Sequence, residues 1–242
     1  MRASAAGAFL ALNLLACSTI ASAASLQVSP VNIEVQAPGA ASTVTLQNLG
    51  TATVNAQVRI FKWSQTNGND ELVPTRDVVA SPPAVKMVAG KKSVIRILRL
   101  SKTPLSAEED YRLIVDEIPE AMAPGVTGVN FNVQYSIPVF FTKPGFASDI
   151  GWTARVSNGK FRLSAQNYGD RRVQISALKV IGKSGGTINF GDGLVGYVLG
   201  HASREWVVKA GSKAIAAGAT VKITALGDNG PIEATAKVVA AN

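Results

Sequence analysis

From Val129 to Phe141 the chain reads VNFNVQYSIPVFF. Val129, Phe131, Val133, Tyr135, Ile137, Val139 and Phe141 are apolar, with Asn130, Asn132, Gln134, Ser136 and Pro138 between them. This period of two predicts a strand more than twice the usual length of about 5–6 residues, carrying a row of bulky groups on one face. Phe140 breaks the pattern near the end. Other runs predict strands at Leu26–Val35, Thr43–Asn48, Asn55–Trp63, Ser93–Leu100 and Tyr111–Glu117, separated by the turn-forming stretches APGA, TNGND, SPP and APGVTG.

After KPGFAS (Lys143 to Ser148) a second series predicts strands at Trp152–Val156, Lys160–Asn167, Arg172–Gly182, Arg204–Val208, Thr220–Leu226 and Ile232–Val239. Helical periodicity is nearly absent. Many strands with turns at such intervals predict an all-β chain of antiparallel sandwiches. The Pro-Gly break favours two domains, 24–143 and 150–242 joined by a linker at 144–149, over a single large barrel.

The first residues, MRASAAGAFLALNLLACSTIASA, carry Arg2, an apolar run from Ala8 to Cys17 and an A-x-A site at Ala21-Ser22-Ala23. They predict a secretory signal peptide over 1–23, with an apolar run too short to span a bilayer. A rival reading of LLAC makes Cys17 a lipid anchor. Cleavage after Ala23 removes the one cysteine, so hydrophobic burial rather than a disulfide must hold the exported chain together. No second long apolar segment follows, and the expectation is a bacterial periplasmic protein without stable membrane insertion.

The formal charge of +8 suits general solubility or an acidic, carboxylate-bearing partner. No Lys/Arg run exceeds two residues, which with export argues against nucleic acid. Catalytic chemistry is sparse. The one histidine, His201, sits in the turn-like stretch LGHAS, where it reads as a solvated loop residue. With no mature cysteine, a His/Cys zinc site is excluded. Glu108 and Glu109 read as solvated charges beside a turn, and GKSGG (Gly182 to Gly186) lacks phosphate-loop spacing and reads as a hairpin turn. Binding is therefore expected, with no enzyme activity, cofactor or metal.

The stretches LQVSPVNIEV, SVIRILRL, YRLIVDEIP and YSIPVFFTKP occur in the order found in periplasmic pilus assembly chaperones, followed by LSAQNYGDRRVQIS, YVLGHASREWVV and ALGDNGP. The chain resembles that family over essentially its whole mature length, and most closely its non-classical branch, associated with archaic pili and spore-coat-type fimbriae. The resemblance implies two immunoglobulin-like domains in an L shape. It also implies pilin subunits as partners, bound in the cleft and capped until an outer-membrane usher takes them.

A pilin lacks the last strand of its own sandwich, so it exposes an apolar groove and unpaired edges. By resemblance, Val129–Phe141 is the strand lent to it, with Val129, Phe131, Val133, Tyr135 and Ile137 filling the groove. The same row could instead face the chain's own core. The family's two basic anchors for the terminal carboxylate of the pilin align here with Asn32, a candidate that can still donate a hydrogen bond, and Pro138, which cannot, so an arginine elsewhere in the cleft is the natural substitute. Arg112, off the Tyr111–Leu113–Val115 face, is the first candidate, with Arg96 and Arg99 as weaker ones. Glu117, Lys143 and Asp228 match family positions that form an interdomain ion network. The alternative function is a structural two-domain sandwich, a pilus tip protein or surface adhesin, whose incomplete domain should follow an N-terminal extension. Here LQVSPVNIEV follows the signal at once.

Overall fold

The computed structural model describes residues 26–118, 133–183, 185–209 and 215–240. The first half of the chain forms β1 (Leu26–Ser29), β2 (Ile33–Gln36), β3 (Ala41–Asn48), β4 (Val54–Thr66) and β5 (Asn69–Pro74). It continues with β6 (Val78–Ser81), β7 (Ala84–Met87), β8 (Lys92–Arg99), β9 (Glu109–Ile118) and β10 (Gln134–Thr142). One sheet runs β1-β3-β8-β6, and the facing sheet runs β2-β10-β9-β4-β5 with β7 also on β4. Leu26, Leu46, Ile95 and Ile97 of the first meet Val58, Leu113, Val139 and Phe141 of the second in one core. Alternation explains the layering: odd positions of β9 and β10 point inward, leaving even positions on the outer face.

The run Leu26–Val35, expected as one strand, is two. β1 pairs antiparallel with β3 in one sheet, whereas β2 pairs parallel with β10 in the other. Pro30 lies between them and has no N–H to continue a ladder, so the chain crosses the sandwich there. β5, β6 and β7 were not expected. They are short, and β5 is exposed along its whole length, so it has no alternation to read.

The second half forms β11 (Ile150–Ser157), β12 (Lys160–Asn167), β13 (Val173–Gly182), β14 (Thr187–Asn189), β15 (Leu194–Val198), β16 (Ser203–Lys209), β17 (Thr220–Gly227) and β18 (Gly230–Ala240). Its strand path is β14-β13-β17-β18-β11-β12-β16, with β15 on β13. β18 pairs with β17 as far as Lys237 and runs parallel to β11 from Val238, so one strand serves two sheets. Phe161, Leu163, Ile175, Leu178, Val180 and Ile223 lie in a second, separate core. Between β13 and β14, at the two ends of GKSGG, Gly182 N donates to Gly186 O at 2.8 Å.

Asn167, fully buried, shapes the loop that meets the first sandwich. Its amide donates to Arg171 O (2.7 Å) and Val198 O (3.2 Å), and its carbonyl accepts from the Asp149 and Gly169 amides. Gly169 crosses directly against the connecting segment, where a Cβ would overlap the Ala147 carbonyl. Arg171 and Arg172 leave this loop aimed at the first sandwich.

Candidate functional site

The register places Glu34, Phe140 and Asp110 in one row on the outer face of the β2-β10-β9-β4 sheet. Trp63 follows Lys62, which pairs with Tyr111, and so extends this row on β4. The row is not solvated. Phe140 and Trp63 are buried and form a third apolar cluster with Tyr197 and Leu199 of the second sandwich. Trp63 meets the Tyr197 ring nearly edge-on, with centroids 5.5 Å apart at 85°. Phe140, which broke the alternation, is therefore where the second sandwich docks.

The next row outward is Pro138, Arg112 and Phe61, with Asn32 just before β2. It lies on the same face, at the rim of the docked region. Arg112 lies face-on to Trp63, its guanidinium carbon 3.8 Å from the ring centroid and 5.7 Å from that of Tyr197. Its one side-chain hydrogen bond among the described residues is a long one, from Nη1 to Ser136 O at 3.4 Å, and it has no ion-pair partner among them. Burial pulls the guanidinium below its ordinary range, and the Asp70 carboxylate opposes that shift. A half-buried cation held by an aromatic plate and short of acceptors is chemically suited to a carboxylate.

Two of the other anchor candidates, Arg99 and Arg96, stand elsewhere. Arg99 is closed on Glu109 through two contacts of 2.7 and 2.8 Å and also donates to Ser101 O and Thr103 O. Arg96 is exposed on the outer face of the opposite sheet, alternating with buried Ile95 and Ile97. Asn32 is exposed beside Pro138.

β10 is paired on only part of one side. Gln134 to Phe141 register with β9, but β2 covers only Val139 to Thr142. Glu117 N donates to Val133 O at 3.0 Å, so odd positions of β10 bond to β9 and even positions turn their backbone the other way. Thr142 O, which accepts from Ala37 N at 2.8 Å on the β2 side, fits that alternation. The backbone groups of Gln134 and Ser136 therefore face an edge that carries no paired strand among the described residues. The N–H that Pro138 lacks would point to the same edge, where β2 begins, so the proline costs the β9 ladder nothing.

Of the apolar row, Val129 and Phe131 lie outside the described residues. Val133 and Tyr135 are half-buried, and the Tyr135 hydroxyl donates to Leu26 O. Ile137 is 2% exposed and belongs to the chain's own core, so packing inside the sandwich removes it from a row free to fill another groove.

The expected trio of Glu117, Lys143 and Asp228 is not brought together. Glu117 and Lys143 sit at opposite ends of the β9–β10 pair, roughly 30 Å apart at about 3.3 Å per residue. Lys143 donates to Leu105 O at 2.8 Å, and Asp228 is exposed at the β17–β18 turn. The charges that join the sandwiches are different ones. Arg172 Nη1 lies 2.6 Å from Glu108 Oε2 and its Nη2 lies 2.8 Å from Glu34 Oε2, while its backbone N–H donates to Glu108 Oε1 at 3.0 Å. Arg171 adds a 3.0 Å contact to Glu34, and the Arg172 guanidinium carbon lies 3.5 Å from the centroid of the Phe140 ring. Glu108, read from sequence as a solvated charge, has a fully buried side chain, and Glu109 is engaged by Arg99. The arginine pair stands in the stretch QNYGDRRVQIS, but its partners come from distant strands and left no local signal. His201 is exposed in its turn, with Nε2 2.8 Å from Asp170 Oδ1.

Asp110 is buried beside this cluster, and its Oδ1 has no hydrogen-bond partner among the described residues. Burial, and then the Glu108 charge, push its carboxyl up to about 8, against the opposing fields of Lys62 and Arg172. The folded chain thus holds a proton that the unfolded chain releases near pH 4. The associated stability is present below that value and is lost as pH rises through about 8. The wild-type melting temperature should therefore fall between pH 5 and 8 and level off above that, while Asp110→Asn should follow a flatter curve across that window. Parallel curves in differential scanning calorimetry would show that Asp110 does not titrate there.

Residues 25–145 match the family described as Pili and flagellar-assembly chaperone, PapD N-terminal domain. Comparison with curated protein sequences gives no match. Among solved structures, the chain is similar to the CsuC–CsuE chaperone–tip adhesion subunit pre-assembly complex from archaic chaperone–usher Csu pili of Acinetobacter baumannii. That match has 26% identity and a TM-score of 0.68, covering 90% of this chain and 100% of that one. The Salmonella enterica SafA pilin in complex with the SafB chaperone matches at 16% identity and a TM-score of 0.60, covering 87% and 95%. The YadV chaperone matches at 18% and 0.61, covering 88% and 99%. The fold is the immunoglobulin-like pair of sandwiches shared by these chaperones, and the adhesin alternative is not favoured. The chain belongs to the family of pili and flagellar-assembly chaperones.

Proposed function

We propose that this chaperone captures pilin subunits by adding a strand at the open edge of β10 and hands them to an outer-membrane usher. The carrying observation is the half-paired β10, whose Gln134–Pro138 stretch pairs among the described residues on the β9 side only and lies beside Arg112. A pilin strand entering there gains main-chain hydrogen bonds from Gln134 and Ser136. Val133 and Tyr135, with Val129 and Phe131 upstream, offer apolar groups to the pilin's groove. The chain acts in the periplasm after loss of residues 1–23, with 24–143 and 150–242 as its working domains and 144–149 as the linker. No catalytic step is involved. Periplasmic co-expression with a pilin should yield a stable one-to-one complex. Recovery of the chaperone alone, with the pilin degraded, would refute capture.

Arg112 is the anchor for the pilin's terminal carboxylate in this reading. A charge-assisted hydrogen bond is worth about 1.5–3 kcal/mol, or roughly 10- to 150-fold in affinity. Arg112→Ala should weaken capture at least about tenfold with little change in melting temperature, and Arg112→Lys should restore only part, since a lysine cannot grip with two parallel bonds. Normal capture by Arg112→Ala in a pull-down titration would remove the residue from the site.

A further inference from the structure

Arg112 makes no ion pair among the described residues, so its place is set by the rings against which it lies. Trp63 is the nearer of the two, and Trp63 is itself held. Its indole Nε1 donates to Asp70 Oδ1 at 3.1 Å, and Asp70 Oδ2 accepts from Arg204 Nη1 of the second sandwich at 2.8 Å. The residue linking these parts is Gln65, near the end of β4. Its Nε2 donates to Tyr197 O at 2.8 Å and to Asp70 Oδ1 at 2.8 Å, and its Oε1 accepts from Leu199 N at 3.0 Å.

The two contacts to Tyr197 and Leu199 repeat what one residue of a parallel neighbouring strand would make, accepting from one residue and donating to the one two positions earlier. A single side-chain amide thus pairs with the backbone at the end of β15 as a strand would. A slide of the second sandwich by one residue would break both bonds, whereas the apolar contacts of Trp63, Phe140, Tyr197 and Leu199 alone would tolerate a small slip. The same amide holds Asp70, and Asp70 holds Trp63, on which the Arg112 guanidinium rests.

We propose that Gln65 is the positioning residue of the anchor: it registers the second sandwich on β15 and, through Asp70 and Trp63, sets where the Arg112 guanidinium points. Gln65 does not bind the pilin. The proposal deepens the reading of Arg112 as the carboxylate anchor and rests on it for its functional meaning. The guanidinium's position can nevertheless be tested without any pilin.

The experiment follows the Arg112 side-chain Nε–Hε resonance in the full-length, 15N-arginine-labelled mature chain, identified by its loss in Arg112→Lys. The indole ring current should displace this resonance in the wild type. In Gln65→Ala it should lose most of that displacement and move toward the position of exposed arginines, while the melting temperature changes by only a few degrees. Gln65→Glu keeps the acceptor for Leu199 N but loses the donor to Tyr197 O, so it should fall between the two and guards against a poorly folded alanine variant. An Arg112 resonance unmoved in both variants would overturn the proposal, leaving Gln65 as glue between the sandwiches. The anchor reading itself stands or falls separately, on capture by Arg112→Ala.

Discussion

Replacing Arg172 by alanine is expected to cost about 3–5 kcal/mol, the largest loss of stability from any single substitution at the interface between the sandwiches. The Glu108 side chain is 0% exposed and that of Arg172 3%, and their 2.6 Å contact has no water-facing alternative. Burial works against the Arg172 charge, but the Glu108 and Glu34 carboxylates outweigh it and hold the guanidinium above its ordinary range. Removing the arginine side chain leaves Glu108 buried with the backbone N–H of position 172 at 3.0 Å and, as its nearest remaining cation, Arg171 Nε at 3.9 Å. Because each sandwich has its own core, the loss should appear as separation of the two halves. Calorimetry should show one cooperative transition in the wild type and an earlier, split one in Arg172→Ala. Combining Arg172→Met with Glu108→Gln should recover much of the loss, since neutral groups of similar size are cheap to bury compared with an unpaired charge. A wild-type melting profile for Arg172→Ala would mean that the cluster does not hold the halves together.

The second large effect is expected in capture. Val133→Asp should weaken binding of a pilin by about a hundredfold or more while leaving the free chaperone folded, since an unpaired carboxylate in an apolar groove costs several kcal/mol. Val133 is the position of the apolar row best suited to the test. Tyr135 packs on the chain's own core and bonds to Leu26 O, and Ile137 is part of that core, so charges there would damage the chaperone itself. Val133 lies just before β10 and is half-buried in the free chain, so the stability change should stay within about 0.5 kcal/mol. In the complex its side chain would enter the pilin's groove. Isothermal titration with a pilin held in complex by a weaker competitor strand would measure the difference. Wild-type affinity for Val133→Asp would place the plug elsewhere.

Alternation along single strands was enough to derive the all-β class, the division of β9 and β10 into an apolar and a polar face, and the place of Arg112 off the apolar face of β9, because side-chain direction in a strand depends only on position parity. The same rule made Phe140 an exception to be explained. Periodicity could not show that Leu26–Val35 divides between two sheets, since both pieces keep one inward face and only the partners differ. Nor could it mark β5, whose residues are all exposed.

The interdomain charges were beyond the sequence for a different reason. Glu108 and Glu34 stand 64 and 138 positions from Arg172, and each alone reads as an ordinary solvated residue. Burial, which turns such a charge into a structural contact, is a property of the docked pair of sandwiches and of neither strand alone. Docking likewise converts Trp63, Gln65 and Tyr197 into a support for Arg112. The sequence by itself determined the longer strands and how each divides its side chains between two faces, because those follow from local geometry. The tertiary structure alone decided which outward faces become buried, which charges meet across the interface, and that β2 covers only the end of β10, beside Arg112, because each depends on contacts between segments far apart in the chain.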